Sequence, residues 1–593
     1  MTNKKSFLPF TSILLSSIII FSPVYAFKVP KLELPTPVKN AYTYTKNTRI
    51  YVKQRAKFAK VILYALMRHC INQSLPQEKI ERYLAYYYAL ISQSTEDSIK
   101  KDIEALRNAI INNKVIDIDP EKFYLGASSS AYQIEGGLDE TSAAARFYKD
   151  KAQLPIAGDA IDFYHRFEED IKQLKDELHI NTYRISLAWN RIQPQKDTFN
   201  MQAIEFYRNV INALLLQDIK PMIVFHHYDV PQWFEDLGGF EKEENGKYFQ
   251  EFCLRVYEEL AEELGDCLIS MCNAPEGPAF KGYFTGEGTP GEKDNLQKTH
   301  TVIANMYYEL VDTSLAMQKR YKELKKSNST LKKPSIGTQI NVVFLDPHES
   351  SQENWKRRLK TAVVCAMADY TQSGGTFDFL VSGEYCIWTP DKEFMKQARG
   401  VNVYRYHPHA HKAFDWIGVN IYSNRFLNGS DQITGDKLIE KDEERYTDNK
   451  NYRNYPEGIY RAVQLITEKV AKPLGTLRNK NGKPLPIIVT ENGIATKDDG
   501  KRTRYFQRAL TTITQLIKDG YPVIGYLPWT SHDNYEWPTQ DNPKGFESKN
   551  YGFFAVNFDK NSPNYLKRTL KEGARYYANF AKEFFKNETV AAA

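Results

Sequence analysis

A single carboxylate, Glu491, stands in a setting typical of catalysis. Residues 487–490, three aliphatic residues and a threonine, have the composition of a buried β-strand, and Asn492 and Gly493 follow Glu491 as a turn pair. In a parallel barrel such a strand ends at the mouth, where an ionised glutamate can attack an electrophilic carbon. The sequence therefore predicts Glu491 as a nucleophile. A structural glutamate in a salt bridge or a helix cap is the alternative.

Four further polar residues near the ends of apolar runs have side chains suited to sugar hydroxyls. They are Gln133, His227, Asn273 and Glu536. Together they offer the mixture of hydrogen-bond donors and acceptors that a carbohydrate requires. The aromatic residues, 13% of the chain, also suit a sugar cleft, although such rings fill large cores as well. A ligand rich in hydroxyl groups would suit this set, and for His227 a place in the core is the alternative.

Eight apolar runs with β-strand composition recur from residue 123 onward, and amphipathic segments separate most of them. The runs are 123–127, 182–189, 221–227, 268–272, 336–344, 414–421, 487–490 and 523–529. Helical periodicity lies between them, for example at 163–178, 203–216, 248–264 and 299–322. Alternating strands and helices imply a parallel sheet, and eight such units predict an α/β fold, the (β/α)₈ TIM barrel. A doubly wound open sheet is the alternative, but no glycine-rich phosphate loop follows the first run.

The N-terminus has the features of an export signal. Lys4 and Lys5 precede a largely apolar stretch, 7–21, and residues 24–26 offer a cleavage site with small residues. We therefore expect residues 1–26 to be a signal peptide and the protein to be exported, periplasmic or secreted. The stretch is shorter than the ~20 residues of a spanning helix, so no stable membrane span is expected after cleavage. An uncleaved anchor is the alternative.

Residues 27–120 differ from the rest and are predicted to form a helical extension before a barrel domain at 121–586. A stretch punctuated by prolines, 28–37, precedes segments of helical spacing at 39–68 and 78–92. A further helix start at 94–97 would place Ile99, Ile103, Leu106 and Ile110 on one face. The extension is expected to pack against the barrel. Binding to an unidentified partner or a membrane surface is the alternative.

Composition argues against several other functions. A net charge of +6 over 593 residues, not gathered into one basic stripe, disfavours nucleic-acid binding. Six cysteines in so long a chain, with no Cys-x-x-Cys pair, do not form a disulfide framework. The sequence shows no cluster of metal ligands, and we expect neither a metal nor a cofactor.

Several segments, taken in order, carry a resemblance to one known family. They are 123–127, 131–136, 162–171, 183–186, 226–231, 420–423, 487–493 and 529–537. In type and order they are similar to the motifs of glycoside hydrolase family 1, the retaining β-glycosidases. The resemblance covers about 123–585. It implies a (β/α)₈ barrel that hydrolyses O-glycosyl bonds of small β-glucosides or β-galactosides.

The resemblance also implies a role for each candidate residue. Glu491 would be the nucleophile, and Arg184 and the Tyr422 hydroxyl would keep it ionised by charge and hydrogen bonding. Asn273 would contact a sugar 2-hydroxyl, a contact that strengthens in the transition state. The whole substrate-binding set would be Gln133, His227, Asn273, Trp529, Glu536 and Trp537. For both tryptophans a plain core position is the alternative.

One departure from the family pattern affects the chemistry directly. Ala274, between Asn273 and Pro275, stands where the family has the glutamate that serves as general acid and base. Such help contributes roughly 10²–10⁴ in rate, so its loss at Ala274 is serious. Glu276 lies two residues on, displaced by about 6–7 Å along an extended chain, and a loop or structural role is favoured for it over a relocated acid. Tyr228 in place of a tryptophan is a smaller change.

Two functional classes therefore remain open. The first is an exported β-glycosidase that uses Glu491 with the usual acid/base missing, and the second is an impaired pseudoglycosidase that binds a glycan or a protein partner. A retained nucleophile favours the enzyme, and Ala274 favours the binder. Lys549 and Tyr551 resemble a triplet of relatives that act on 6-phosphoglycosides, but Glu536 would repel a phosphate. Unphosphorylated substrates are expected.

Overall fold

The computed structural model describes most of the chain from residue 96 onward and a few residues before it. The described residues are 50, 54, 56–58, 96–347, 361, 365, 366, 368–389, 400–427, 433, 434, 447–449, 452–479, 481–539, 543–546 and 549–586. The predicted signal peptide and most of the predicted extension lie outside them. The chain divides into two compact units, Met1–Ala56 and Lys57–Ala593. The domain boundary at residue 120 stays a prediction.

Parallel strands close into an eight-stranded barrel, which confirms the predicted fold class. The strands in chain order are β1 (Tyr124–Ser128), β2 (Thr182–Ser186), β3 (Lys220–Val224), β4 (Leu268–Asn273), β5 (Ser335–Asn341), β6 (Phe344–Pro347), β7 (Glu384–Trp388), β8 (Asn402–Tyr406), β9 (Trp416–Asn420), β10 (Asn424–Leu427), β11 (Ile433–Thr434), β12 (Ile487–Glu491), β13 (Val523–Tyr526), β14 (Phe554–Val556) and β15 (Arg568–Leu570). The barrel order is β1-β13-β12-β9-β5-β4-β3-β2. Each of the eight predicted apolar runs supplies one barrel strand.

Helices surround the barrel and fill the connections between strands. They are α1 (Glu96–Asn112), α2 (Ala131–Ile134), α3 (Ala143–Arg146), α4 (Phe163–Asp176), α5 (Trp189–Ile192), α6 (Met201–Leu216), α7 (Gln232–Asp236), α8 (Gly246–Glu259), α9 (Ala261–Leu264), α10 (Glu276–Phe280), α11 (Leu296–Ser327), α12 (Gly375–Ser382), α13 (Gly458–Ile466), α14 (Lys472–Arg478), α15 (Asp499–Lys518) and α16 (Arg575–Phe584). Side-chain caps start several of them. For example, the Asn200 side chain accepts from the N–H groups of Gln202 and Ala203 at the start of α6.

Three small sheets lie outside the barrel, and the sequence did not predict them. In the first, β10 lies between β11 and β6, and the other two pair β14 with β15 and β7 with β8. The predicted run 336–344 in fact contains the end of β5 and the start of β6, because the chain leaves the barrel at Val342 and Val343. Val342 and Val343 themselves have β-strand composition, so the run gives no sign of such a break.

The helix predicted to start at 94–97 is present as α1 and packs on the last helices of the barrel. Leu106 and Ile110 are buried. The Asn113 amide donates to the carbonyl of Ile517 at 2.7 Å, and the Tyr576 hydroxyl donates to Asp102 at 3.1 Å. Within the part of the chain that the structure describes, no helix is both long and apolar enough to cross a membrane.

Candidate active site

The centre of the site is a carboxylate held by two groups. Glu491 ends β12, and its Oε1 lies 2.8 Å from Nη1 of Arg184 on β2. The Tyr422 hydroxyl, just beyond β9, donates to the other oxygen, Oε2, at 2.7 Å. The Arg184 side chain is fully buried, and that burial lowers the pKa of its guanidinium while the Glu491 carboxylate raises it. Both oxygens of Glu491 are therefore fixed in position by strands on opposite sides of the mouth.

A chain of polar contacts runs from this pair around the carboxyl end of the barrel. Arg184 Nη2 contacts His227 Nδ1 at 3.3 Å, and the Asn273 amide contacts His227 Nε2 at 3.2 Å. Asn420 donates to Asn273 Oδ1, and Thr490 donates to Asn420 Oδ1, each at 2.7 Å. Burial and the Arg184 charge hold the pKa of His227 well below its usual value, so its ring is neutral. The network joins the ends of five strands into one rigid floor.

A second group of candidates comes from the segment after β13. The Trp529 indole N–H donates to Glu536 Oε1 at 2.9 Å, and the Trp529 ring lies 5.9 Å from that of His227. Burial raises the pKa of Glu536 to about 7, while the Lys549 charge opposes the rise. Near neutral pH the Glu536 carboxyl is therefore divided between its acid and its ionised form. In either form it can bond to a sugar hydroxyl.

Aromatic rings form one wall beside this group. Trp537 stacks on Tyr132 with 5.2 Å between centroids and 7° between planes. Tyr228 packs against Trp537 at 4.2 Å, in the position where the sequence departs from the expected tryptophan. Tyr228 directly follows His227 in the chain. The wall has the flat apolar surface on which a sugar ring can stack.

Gln133 is close to the other candidates but is already engaged by the protein. Its amide nitrogen donates to the Tyr535 carbonyl at 2.7 Å and lies 3.3 Å from Asn534 Oδ1. Its oxygen accepts from the Ser130 hydroxyl at 2.7 Å. Both amide hydrogens are thus directed to protein acceptors, and a sugar would meet the remaining lone pair of Oε1. In this structure Gln133 ties α2 to the segment after β13.

Ala274 marks a sharp change of direction after β4. Its φ of 47° is in the left-handed region, and only 7% of the residue is exposed. This turn starts α10 at Glu276, whose Oε1 accepts from Tyr307 at 2.7 Å and from Thr376 at 2.9 Å. Those partners belong to α11 and α12, outside the polar floor. The geometry favours the structural role for Glu276 over the relocated acid.

Three residues of the site were not predicted from the sequence. Gln339 on β5 accepts from Arg184 Nη2 at 2.8 Å, and Tyr452 stacks on Tyr422 at 5.4 Å. Lys281 places its ammonium 4.9 Å from the Tyr228 ring centroid. A glutamine inside an apolar β-run could have signalled Gln339. Lys281 and Tyr452 lie in connections, where nothing in their local sequence indicates which way the side chains point.

Comparison with known proteins identifies the family of the chain. The family model for glycosyl hydrolase family 1 matches residues 117–585. Beta-glucosidase A of Acetivibrio thermocellus is 28% identical over 501 residues, which are 79% of this chain and 98% of that protein. Beta-glucosidase 28 of Arabidopsis thaliana is 26% identical over 505 residues, 78% of this chain and 81% of that protein. A solved structure, a beta-glycosidase from Pyrococcus horikoshii, is 27% identical with a TM-score of 0.61, covering 78% of this chain and 95% of that one.

The fold and the site thus define a barrel protein with a buried arginine–glutamate pair and sugar-compatible groups at its mouth. The chain belongs to glycosyl hydrolase family 1. This membership, and relatives named as β-glucosidases, support a glycosidase acting on a carbohydrate.

Proposed function

We propose that the chain is an exported β-glycosidase that hydrolyses small, unphosphorylated β-glucosides or β-galactosides through Glu491, without a carboxylate at the acid/base position, Ala274. The observation that carries the proposal is the geometry of Glu491. Its two oxygens are held at 2.8 Å by Arg184 and at 2.7 Å by Tyr422. A protein that only binds sugar has no need of a carboxylate held in this way, because burying such a pair is costly.

The reaction would proceed in two displacements. A Glu491 oxygen attacks the anomeric carbon, and the bond to the aglycone oxygen breaks with its electron pair leaving on that oxygen. Water then attacks the same carbon, the bond to Glu491 breaks, and the water proton passes to solvent. Arg184 and Tyr422 orient the carboxylate in both steps, and the network through His227 and Asn273 gives the sugar hydroxyls fixed partners.

The expected preference for certain leaving groups follows from the absence of a carboxyl at position 274. With no proton donor beside the leaving oxygen, the first displacement depends on how well the aglycone carries negative charge. Glycosides of acidic phenols or enols are therefore the best substrates. The relatives named β-glucosidase support a glucoside, and galactosides stay within the proposal because the same polar floor can serve either sugar.

Export is proposed from the sequence of the first 26 residues. Two lysines, an apolar stretch and a cleavage site with small residues stand there in the order of a signal peptide. An extracellular or periplasmic enzyme would meet free glycosides more often than phosphorylated ones. This supports the choice of unphosphorylated substrates, together with the carboxyl of Glu536.

A pseudoglycosidase that binds a glycan is the second candidate, and two observations favour it. The alanine at 274 leaves no carboxylate there, and the Gln133 amide hydrogens are directed to Asn534 and Tyr535. Both features would weaken catalysis while leaving the aromatic wall able to hold a sugar.

Intact-mass spectrometry with 2,4-dinitrophenyl β-glucoside and β-galactoside separates the two candidates. An active Glu491 would form a glycosyl-enzyme, because this leaving group needs no proton. The adduct should accumulate, because no carboxylate activates the second water. Azide should release it as the β-glycosyl azide, since the space and charge at 274 admit a small anion.

Glu491→Gln, which keeps the shape of the side chain, should form no adduct. Absence of an adduct from the native protein with both sugars would leave the binder as the better explanation.

A further inference from the structure

A short helical stretch before the barrel contacts a connection that the proposed mechanism does not use. Lys57 and Phe58 lie in this stretch and are the first two residues of the second compact unit. The Lys57 ammonium lies 2.5 Å from Asp378 Oδ2, on the first turn of α12. It also donates to the carbonyls of Cys386 and Gly374, at 3.2 Å and 3.5 Å. One lysine thus joins the start of α12 to β7.

Phe58 adds aromatic contacts to those of its neighbour. Its ring meets the rings of Trp388 and Tyr370 edge to face, with centroids 5.5 Å and 6.4 Å away. Such pairs stabilise a contact beyond the area that they bury. The Tyr370 hydroxyl in turn donates to the Cys386 carbonyl at 3.4 Å and accepts from the Trp388 N–H at 3.2 Å. The charged contacts of Lys57 and the apolar contacts of Phe58 therefore converge on the place where α12 meets β7.

α12 and β7 also border the segment that follows Ala274. Thr376, on the first turn of α12, donates to Glu276 Oε1 at 2.9 Å. Tyr385 of β7 packs directly on α12, since a Cβ at Gly375 would lie 2.8 Å from its ring. Only 5% of Glu276 is exposed, so its carboxyl depends on donors from the protein in place of water. The place of Glu276 is therefore tied to that of α12.

Glu276 in turn fixes the turn in which Ala274 lies. One residue separates the two, and the Ala274 carbonyl accepts from the N–H of Gly277 at 2.9 Å. Asn273, the residue before Ala274, belongs to the polar floor. A movement of the Glu276 carboxyl is thus carried into the end of β4, through contacts that are continuous from α12 to the site.

From this chain of contacts we propose that the stretch of Lys57 and Phe58 positions the active-site segment from outside the barrel. It holds α12 against β7. Through Thr376, α12 holds Glu276, and Glu276 holds the turn at Ala274. The match to the family model begins after α1, so these two positioning residues belong to a part of the chain outside that match. The consequence for kinetics rests on the proposed function, because that function places Ala274 beside the leaving oxygen.

Hydrogen exchange in the full-length protein, followed by mass spectrometry, tests the link without substrate. In Lys57→Met and in Phe58→Ala the amides of α10 should exchange about tenfold faster than in the native protein, because the helix opens more often once α12 is loosened. The amides of α6, in the connection between β2 and β3, should keep their native rates. Lys57→Arg should retain the protection of α10, since it keeps the charge. Lys100→Gln, which removes an exposed lysine of α1, should change neither helix.

Steady-state hydrolysis of 2,4-dinitrophenyl β-glucoside tests the effect on the site. Lys57→Met should lower kcat about tenfold and change KM by less than about twofold, because a contact from Asn273 to the sugar would be strongest in the transition state. Thr376→Val breaks the next contact of the same chain and should give a similar loss. The double variant should lose no more than either single variant, whereas independent sites would multiply their losses. Asp378→Asn weakens the ion pair from the other side and replaces Lys57→Met if that variant does not fold.

The outcomes separate the positioning role from the proposed function. Native exchange rates of α10 in both Lys57→Met and Phe58→Ala would overturn the positioning role. An equal acceleration in α6 would also overturn it, because it would show general loosening of the barrel. Multiplied losses of kcat in the double variant with Thr376→Val would count against it in the same way. Faster exchange of α10 but not of α6, in a protein that forms no glycosyl-enzyme, would support the positioning role while the proposed function failed.

Discussion

Ala274→Glu would place a carboxyl at the proposed acid/base position. It should allow the enzyme to hydrolyse glycosides with poor leaving groups as well as those with good ones. Ala274 already has a Cβ at a φ of 47°, so a glutamate adds no new backbone penalty of the kind that glycine avoids. With 7% of the residue exposed, the new carboxyl would be largely buried, and the proposed mechanism places it across the sugar from Glu491. Burial and like charge both raise its pKa, which keeps it protonated and able to donate near neutral pH.

The expected gain follows from the usual contribution of acid/base help. For aglycones of low acidity, kcat/KM should rise by roughly 10²–10⁴, or about 3–5 kcal/mol of barrier. For dinitrophenyl glycosides the first step should change little, while release of the glycosyl-enzyme should become faster. The assay is kcat/KM for a series of aryl glycosides of graded leaving-group acidity. Native protein should show a steep dependence on acidity and Ala274→Glu a shallow one.

Ala274→Gln is the matched control, because it has the same size and no transferable proton. Its dependence on leaving-group acidity should stay as steep as that of the native protein. If Ala274→Glu folds with an unchanged melting temperature and also keeps the steep dependence, position 274 does not face the leaving oxygen. The assignment of Ala274 as the vacant acid/base position would then be wrong.

Further predictions concern the nucleophile, stability and export. Tyr422→Phe should lower kcat by roughly 10–100-fold with a folded barrel, because it removes a hydrogen bond to a charged group; an unchanged kcat would contradict this. Arg184→Gln should cost about 3–5 kcal/mol in urea unfolding, since it leaves the Glu491 carboxylate buried and unpaired, whereas Lys293→Gln should cost almost nothing. Burial raises the pKa of Asp229, Glu276, Glu309 and Glu536 to about 7. The folded state therefore holds these protons more tightly than the unfolded state. Burial lowers the pKa values of His226, His300 and His532, which opposes this effect mainly below about pH 6.5, so the melting temperature should fall as pH rises from about 6.5 to 7.5. A melting temperature that rises over that range would refute the assignment of these carboxyls. N-terminal sequencing of the mature protein should begin near Phe27, and a cytoplasmic product that begins at Met1 would reject export.

Much of the architecture was predictable because barrel strands carry a strong local pattern. Each of the eight strands is a short apolar run between helical segments, and burial on both faces requires that composition. The location of Glu491 was predictable for the same reason, since it directly follows such a run. Strand ends were less well predicted. The run at 336–344 contains two strands, and the runs at 182–189 and 523–529 extend beyond Ser186 and Tyr526, where the structure ends them.

The types of residue at the ends of the barrel strands can be read from the chain alone. That is enough to predict a sugar site with Glu491 as nucleophile and Ala274 at the acid/base position. The directions in which connecting residues point became known from the folded protein. The left-handed turn at Ala274 directs Glu276 toward Tyr307, and the helical backbone that continues from α10 directs Lys281 toward Tyr228. These directions depend on backbone dihedrals and on neighbours distant in sequence, and no local pattern of residue types encodes them.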